Sequence, residues 1–323
     1  MDITVILCTY NRCQSLPKAL DSVAASTLPE SVEWEVLVVD NNSRDETREA
    51  VEDFSRRYPN RFRYLLERRQ GKSYALNAGI REALGEIVAF VDDDVTVEQA
   101  WLQNLTAGLH NGEWAGSGGR ILPERSFSPP NWLLVDGPYA LLPFAVFDRG
   151  TEAGPLAEPP YGTNMAFRKA MFEKHGGFRT DLGPQPGSEI RNEDTEFGRR
   201  LLKAGERLRY EPAAVVYHPA PVHRLRKEYF LHWWFGLGRA SVREWKQGPP
   251  VMGIPRPYFN ILKLGTITMA QRVAQWMFSW HPGRRFRSKC WVWETAGEMR
   301  EYYGLARSDQ AKKDDSNSKC RAS

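Results

Sequence analysis

Ile87-Val88-Ala89-Phe90-Val91-Asp92-Asp93-Asp94 is a run of five apolar residues that stops in three carboxylates. A short continuous apolar run fits a strand buried on both faces, as in a parallel sheet. Adjacent carboxylates at its end repel one another, and the usual compensators are a divalent cation, helix dipoles or a cationic ligand. The first expectation is a metal at the carboxyl edge of a sheet.

The flanking sequence repeats the strand signal. Strands are expected at 3–8, 34–39, 63–66, 86–91 and 114–122, and helices at 15–25, 44–57, 73–84 and 97–109. Such alternation with short connections describes a mostly parallel sheet covered by crossover helices, an α/β fold. Ser43 with Glu46, and Thr96 with Gln99, have the spacing of helix-start capping boxes. Residues 123–160 are rich in Pro and Gly yet carry Trp132, Leu133, Leu134, Leu141, Leu142 and Phe144, the composition of a lid or binding insert. A strand is expected near 164–168, a helix from about Asn192 and a strand at 214–217. Beyond Val222 the pattern is helical, at 227–246, 258–280 and 284–303, and residues 307–323 read as a disordered polar tail. The expected organisation is thus a catalytic domain at 1–221, a helical extension at 222–306 and the tail.

The charge is unevenly divided. Residues 222–323 carry 19 Lys or Arg against 8 Asp or Glu, a net of +11, whereas residues 1–221 carry 25 against 32, a net of −7. The basic part also holds 7 of the 11 tryptophans. Basic residues mixed with aromatics suit nucleic acid or an anionic membrane, and without a nucleic-acid motif the membrane is favoured. The helix at 258–280 is interrupted by Lys263 and Arg272, so it reads as interfacial or packed rather than membrane-spanning. The start of the chain lacks the cationic, then apolar pattern of a signal peptide, which gives an expectation of a cytoplasmic protein, peripheral on the inner face of the membrane. Cys8, Cys13, Cys290 and Cys320 have no metal-ligand spacing, and zinc is not expected.

In an open parallel sheet, ligands bind beyond the carboxyl ends of the strands. Thr9, Tyr10 and Asn11, then Asp40, then Lys72, and then Asp92, Asp93 and Asp94 fall there. Asp40 can accept an imide N–H of a base, Tyr10 can stack on it, Lys72 can meet a phosphate, and the aspartates can meet ribose hydroxyls and a phosphate-bound metal. Together they describe a nucleoside diphosphate. Each also has a plainer reading. Asp94 can start a helix near Val97, Glu193 and Asp194 can be first-turn acids, Asp40 can be a turn residue, His218 a strand-end histidine, and Lys72 and Arg68 solvated cations. Two rival motifs fail on spacing. Leu66 stands where the first glycine of a P-loop ending in Gly71-Lys72-Ser73 belongs, and Ile121 replaces the third glycine of a dinucleotide fingerprint begun at Gly116-Ser117-Gly118-Gly119.

Over roughly residues 1–220 the chain resembles the family 2 glycosyltransferases, which have the GT-A fold. The resemblance runs in order through Val5-Ile6-Leu7-Cys8-Thr9-Tyr10-Asn11-Arg12, Val38-Val39-Asp40-Asn41-Asn42-Ser43, Gly71-Lys72-Ser73-Tyr74-Ala75-Leu76-Asn77, Phe90-Val91-Asp92-Asp93-Asp94, Gly162-Thr163-Asn164-Met165-Ala166-Phe167-Arg168, Gly176-Gly177-Phe178 and Glu193-Asp194. It implies transfer of a sugar from a nucleoside-diphosphate donor to an acceptor hydroxyl, with inversion and a divalent Mn2+ or Mg2+; the imide contact open to Asp40 favours a UDP or dTDP donor without excluding guanine, and the basic, Trp-rich helices suggest a glycan or lipid-linked glycan as acceptor. Carried over, Asp194 is the base, Asp40 holds the nucleobase, Asp92 faces ribose, and Asp94 with His218 holds the metal. Thr9, Tyr10, Asn11, Lys72, Asn77 and Asp93 line the nucleotide, and Gly162, Thr163, Asn164 and Glu193 the sugar side. Without the Gln-x-x-Arg-Trp block and membrane spans of the processive synthases, single-sugar addition is expected. The alternatives are a silent nucleotide-sugar or glycan binder and a nucleotidyltransferase.

Overall fold

Side-chain alternation along the first strand divides the core into two layers, because successive residues of a strand leave opposite faces. Ile3, Val5 and Leu7 pack in one buried cluster and Ile6 in another. The computed structural model describes residues 1–124, 126–136, 140–188, 190–245, 250–252 and 254–321, with side chains as far as Arg307. Its strands are β1 (Ile3–Thr9), β2 (Trp34–Asp40), β3 (Phe62–Leu66), β4 (Ile87–Asp92), β5 (Thr96–Val97), β6 (Gly116–Pro123), β7 (Gly154–Pro155), β8 (Asn164–Arg168) and β9 (Leu208–His218). They form one sheet in the order β3-β2-β1-β4-β8-β6-β9-β5, with β7 on β9.

β1 pairs in parallel with β2 and β4, and β2 with β3. The crossovers that parallel pairing demands are α1 (Leu16–Ala24), α2 (Thr47–Arg57) and α3 (Lys72–Glu82). β8 runs antiparallel between β4 and β6, and β9 returns parallel to β6. This mixed, mostly parallel sheet agrees with the expected α/β class. α4 (Trp101–Thr106), α5 (Ala170–His175) and α6 (Glu193–Lys203) complete the layers.

Two helix starts differ from the sequence reading. Thr96 begins no helix; it lies in β5, opposite Tyr217 of β9, and the helix starts only at Trp101. The strand pairing outweighs the local capping pattern, and it removes the plain reading of Asp94 as a helix-starting acid. Ser43 likewise caps nothing, since α2 begins at Thr47. Its hydroxyl accepts the Asn11 N–H at 2.9 Å instead. β9 is also longer than the strand expected at 214–217. The Gly116-Ser117-Gly118-Gly119 run is a strand with close neighbours: a Cβ on Gly116 would lie 2.2 Å from Phe167, and one on Gly119 2.3 Å from the Asn164 amide and the Ala214 carbonyl.

The chain divides into two units. One comprises Met1–Phe127, Leu141–Ser188 and Glu193–Ala220 and contains the whole sheet; the other comprises Ser128–Ala140, Glu189–Asn192 and Pro221–Ser323. The apolar insert is therefore shared: Trp132 belongs to the second unit, where its ring meets Phe230 at 5.4 Å and Phe286 at 4.7 Å. The second unit is helical, with α7 (Lys227–Glu244), α8 (Arg256–Lys263), α9 (Met269–Phe278) and α10 (Pro282–Arg321). A π-helical turn, Leu264–Thr268, joins α8 to α9. Lys246, the expected end of the first of these helices, lies outside the described residues. The last helix continues over the stretch where composition suggested a disordered tail. α7 and α10 touch backbone to backbone, since a Cβ on Gly238 would lie 2.0 Å from the Glu294 carbonyl and one on Gly297 2.1 Å from the Phe235 carbonyl. No helix among the described residues is long and apolar enough to cross a membrane.

Candidate active site

The parallel register aligns the ends of β1, β2 and β4: Thr9 stands opposite Asp40, and Cys8 opposite Asp92. Lys72, the first residue of α3, directs its ammonium to Asp92 Oδ1 at 2.6 Å and lies 3.9 Å from Glu193 Oε1. Thr163 donates to Asp92 Oδ2 at 2.7 Å. Burial opposes the Asp92 charge, but Lys72, Thr163 and the neighbouring His218 outweigh it and hold the carboxyl down at about 2. The same acids raise the ammonium of Lys72 above its ordinary value although burial opposes it.

Asp93 has the opposite balance. Burial and then the Asp94 charge push its carboxyl up to about 6, against the nearby Arg12. The Arg12 guanidinium stands 3.8 Å from Asp94 Oδ2. Asp93 and Asp94 offer hard oxygens in a crowded negative environment, the chemistry that suits Mg2+ or Mn2+. No group of three or more His, Cys, Asp or Glu among the described residues is arranged to hold a metal alone. Ions of this class commonly take one or two protein carboxylates and complete their shell with waters and substrate phosphates, so the donor set fits a cation bound together with a diphosphate. His218, at the end of β9, places Nδ1 2.8 Å from the Pro219 carbonyl. That oxygen only accepts, so Nδ1 carries the proton and Nε2 keeps the lone pair in the neutral ring.

Asp194 occupies the first turn of α6. Its Oδ2 accepts the Gly162 N–H at 2.5 Å and its Oδ1 the Thr195 N–H at 2.7 Å, which fixes the carboxylate beside the β8 entry. Glu193, buried and adjacent, is raised to about 7 by burial and then by Asp194, with Lys72 opposing. Asp40 is also buried, accepting from the Ser43 N–H at 2.8 Å and the Tyr64 hydroxyl at 2.7 Å. Tyr10 is exposed. Asn11, at φ 52°, accepts the Arg44 N–H at 2.8 Å and ties the loops after β1 and β2 together.

The structure thus gathers Lys72, Asp92, Thr163, Glu193 and Asp194, and sets Asp93 and Asp94 against Arg12. Two expected ligands are taken up by the fold. Asn77 pairs its amide with the Phe178 backbone in both directions at 2.8 Å. Asn164, fully buried, accepts from the Trp101 indole and donates to the Arg120 and Ala214 carbonyls. Arg12 and Asn41 are absent from the site expected from sequence. Asn41 accepts the Gly71 N–H at 2.8 Å and donates to the Glu67 and Arg69 carbonyls, which shapes the turn that presents Lys72. Both stand inside the quoted sequence blocks, which was the available signal.

The sheet and its flanking helices have the GT-A fold: they are similar to a mannosyltransferase from Pyrobaculum calidifontis solved in complex with GDP-Man and Mn2+, with TM-score 0.63 and 21% identity over 94% of this chain and 87% of that one. The glycosyl transferase family 2 profile matches residues 4–176. The chain belongs to that family and is a glycosyltransferase. Among curated relatives, glycosyltransferase AglE of Haloferax volcanii is 28% identical over 244 residues, 75% of this chain and 74% of the relative. The glucosyl-dolichyl phosphate glucuronosyltransferase of the same organism is 27% identical over 246 residues, 74% and 76% of the two chains.

Proposed function

We propose that the protein transfers one sugar at a time from a nucleoside-diphosphate sugar to a hydroxyl of a glycan or lipid-linked glycan, with inversion, in cell-surface polysaccharide or glycolipid synthesis. The observation that carries this reading is the placement of the Asp194 carboxylate on the Gly162 N–H, beside the Lys72–Asp92–Glu193 cluster. Asp194 removes the acceptor proton as the hydroxyl attacks the anomeric carbon, and two backbone N–H groups hold its oxygens in place. Asp92, kept ionised by Lys72, accepts ribose hydroxyls, and Asp40 accepts a base N–H. Asp93 and Asp94, with His218 Nε2, would hold the divalent ion, which supplies neutralisation of charge growing on the leaving diphosphate. The solved neighbour with Mn2+ and the relative named for a dolichyl-phosphate-linked sugar support the cation and the lipid-linked acceptor. A lipid-linked acceptor is met at a membrane, which supports the reading of a peripheral enzyme on its inner face.

Asp194→Asn tests the assignment in a transfer assay with a panel of nucleotide sugars. Turnover is expected to fall about 10²–10⁴-fold while donor affinity stays at the parental value. A variant that keeps half the parental turnover assigns the base elsewhere.

A further inference from the structure

The second unit exposes more large apolar side chains than the first. Of sixteen exposed large apolar side chains among the described residues, twelve lie in the second unit. From the last turn of α8 onward, five of them follow one another through the π-turn, α9 and the residues just beyond: Leu262 at 60% exposure, Ile267 at 59%, Met277 at 58%, Phe278 at 74% and Trp280 at 98%. The opposite side of this helix is committed to α10, where Arg272 donates to the Trp291 carbonyl and pairs with Glu294 at 2.9 Å.

Charge identifies the occupant. Residues 245–293 contain eight Lys or Arg and no Asp or Glu. Lys263, Arg284 and Arg285, which flank the apolar residues, are exposed. Pairing with a second copy of the chain would bring these like charges together, whereas an anionic lipid surface neutralises them. Phe278 at the end of α9, Trp280 just beyond it and Arg284 and Arg285 at the start of α10 form a helix-end corner that mixes aromatics with arginines, the composition of a membrane–water interface.

We propose that the α8–α9 face is a membrane-docking surface for anionic phospholipid, with Leu262, Ile267, Met277, Phe278 and Trp280 entering the bilayer boundary and Lys263, Arg284 and Arg285 meeting lipid phosphates. As a working position for an enzyme with a lipid-linked acceptor, this contact rests on the function proposed above. As a binding event it stands by itself.

Co-sedimentation of the full-length protein with vesicles of phosphatidylcholine, alone or mixed with phosphatidylglycerol, tests it. Binding is expected for the mixed vesicles at low salt, weakening steeply as salt rises. Each arginine near an anionic surface contributes about fivefold, so Arg284→Glu with Arg285→Glu is expected to lower affinity at least tenfold. Phe278→Ser with Trp280→Ser is expected to lower it as well and to remove the blue shift of tryptophan emission on vesicle addition. All four residues are surface side chains, and transfer to a water-soluble acceptor without vesicles is expected to stay parental in both double variants. Absence of that transfer in the parent protein would count against the proposed function and leave the surface untouched. The surface is overturned by lack of binding to anionic vesicles at low salt, by equal binding to neutral ones, or by binding unchanged in both variants. A dimer in light scattering that the Phe278/Trp280 variant abolishes would also overturn it, as an interface between copies.

Discussion

Lys72 holds its ammonium between Asp92 at 2.6 Å and Glu193 at 3.9 Å, so it neutralises protein carboxylates before any phosphate arrives. Lys72→Met is therefore expected to destabilise the protein by about 2 kcal/mol at pH 8, below the 3–5 typical of fully buried pairs because the side chain keeps 26% exposure. Urea titrations at pH 8 and pH 5 would check this, with a smaller loss at the lower pH, where Glu193 is protonated. Glu193 itself carries a pH signature. Raised from its ordinary 4.5 to about 7, it keeps in the folded state a proton that the unfolded chain has released. The destabilisation it causes is thus absent below pH 4.5, grows between 4.5 and 7 and stays constant above 7. Glu193→Gln is expected to raise the melting temperature at pH 8 and leave it unchanged at pH 4; a uniform shift at both would sink the ionic explanation. The position of the aspartates at the end of β4 was legible because a continuous apolar run marks a strand buried on both faces. The internal bonds of Asn77 and Asn164 were not legible because an amide inside a motif serves ligand or backbone equally well, and the partner of Asn77, Phe178, lies 101 residues away.

At the level of elements, the parallel strands and crossover helices were read nearly to their ends, since burial on both faces leaves a continuous apolar signature. β5 was not legible: two residues make no pattern of their own, and Thr96–Val97 becomes a strand only because β9 lies alongside. Glycines were similarly silent. Gly116 to Gly119 resembled the start of a nucleotide-binding turn, but their small size serves the close approach of Phe167, Asn164 and Ala214. The Gly238 and Gly297 pair, 59 positions apart in sequence, locks α7 against α10. Gly297→Ala places a methyl group 2.1 Å from the Phe235 carbonyl and is expected to cost about 1–3 kcal/mol through overpacking. Thermal melts followed by circular dichroism would show it as a lowered midpoint. Better helix propensity alone would raise the midpoint instead.

For the molecule as a whole, the acidic site and the basic helices divide the charge that the net value of +4 conceals. The cation requirement is a whole-molecule prediction, because a donor that binds the folded state alone stabilises all of it. A matching nucleotide sugar at about a hundred times its dissociation constant, with Mn2+, is expected to add about 2.7 kcal/mol, a shift of several degrees, and chelation with EDTA is expected to remove it. A shift that survives EDTA would show that the diphosphate is held without a metal.

The sheet order has a further consequence, for how the chain is made. β4 ends at Asp92, yet its partner β8 begins at Asn164. At roughly 5–20 residues per second, the ribosome needs several seconds to cross that gap. During that time the strand that presents the aspartates has one unpaired edge, apolar from Ile87 to Val91. An open edge of this composition is a template for pairing with another chain. Until β8 arrives, the apolar strand that ends in the carboxylates is thus an edge open to pairing with another chain.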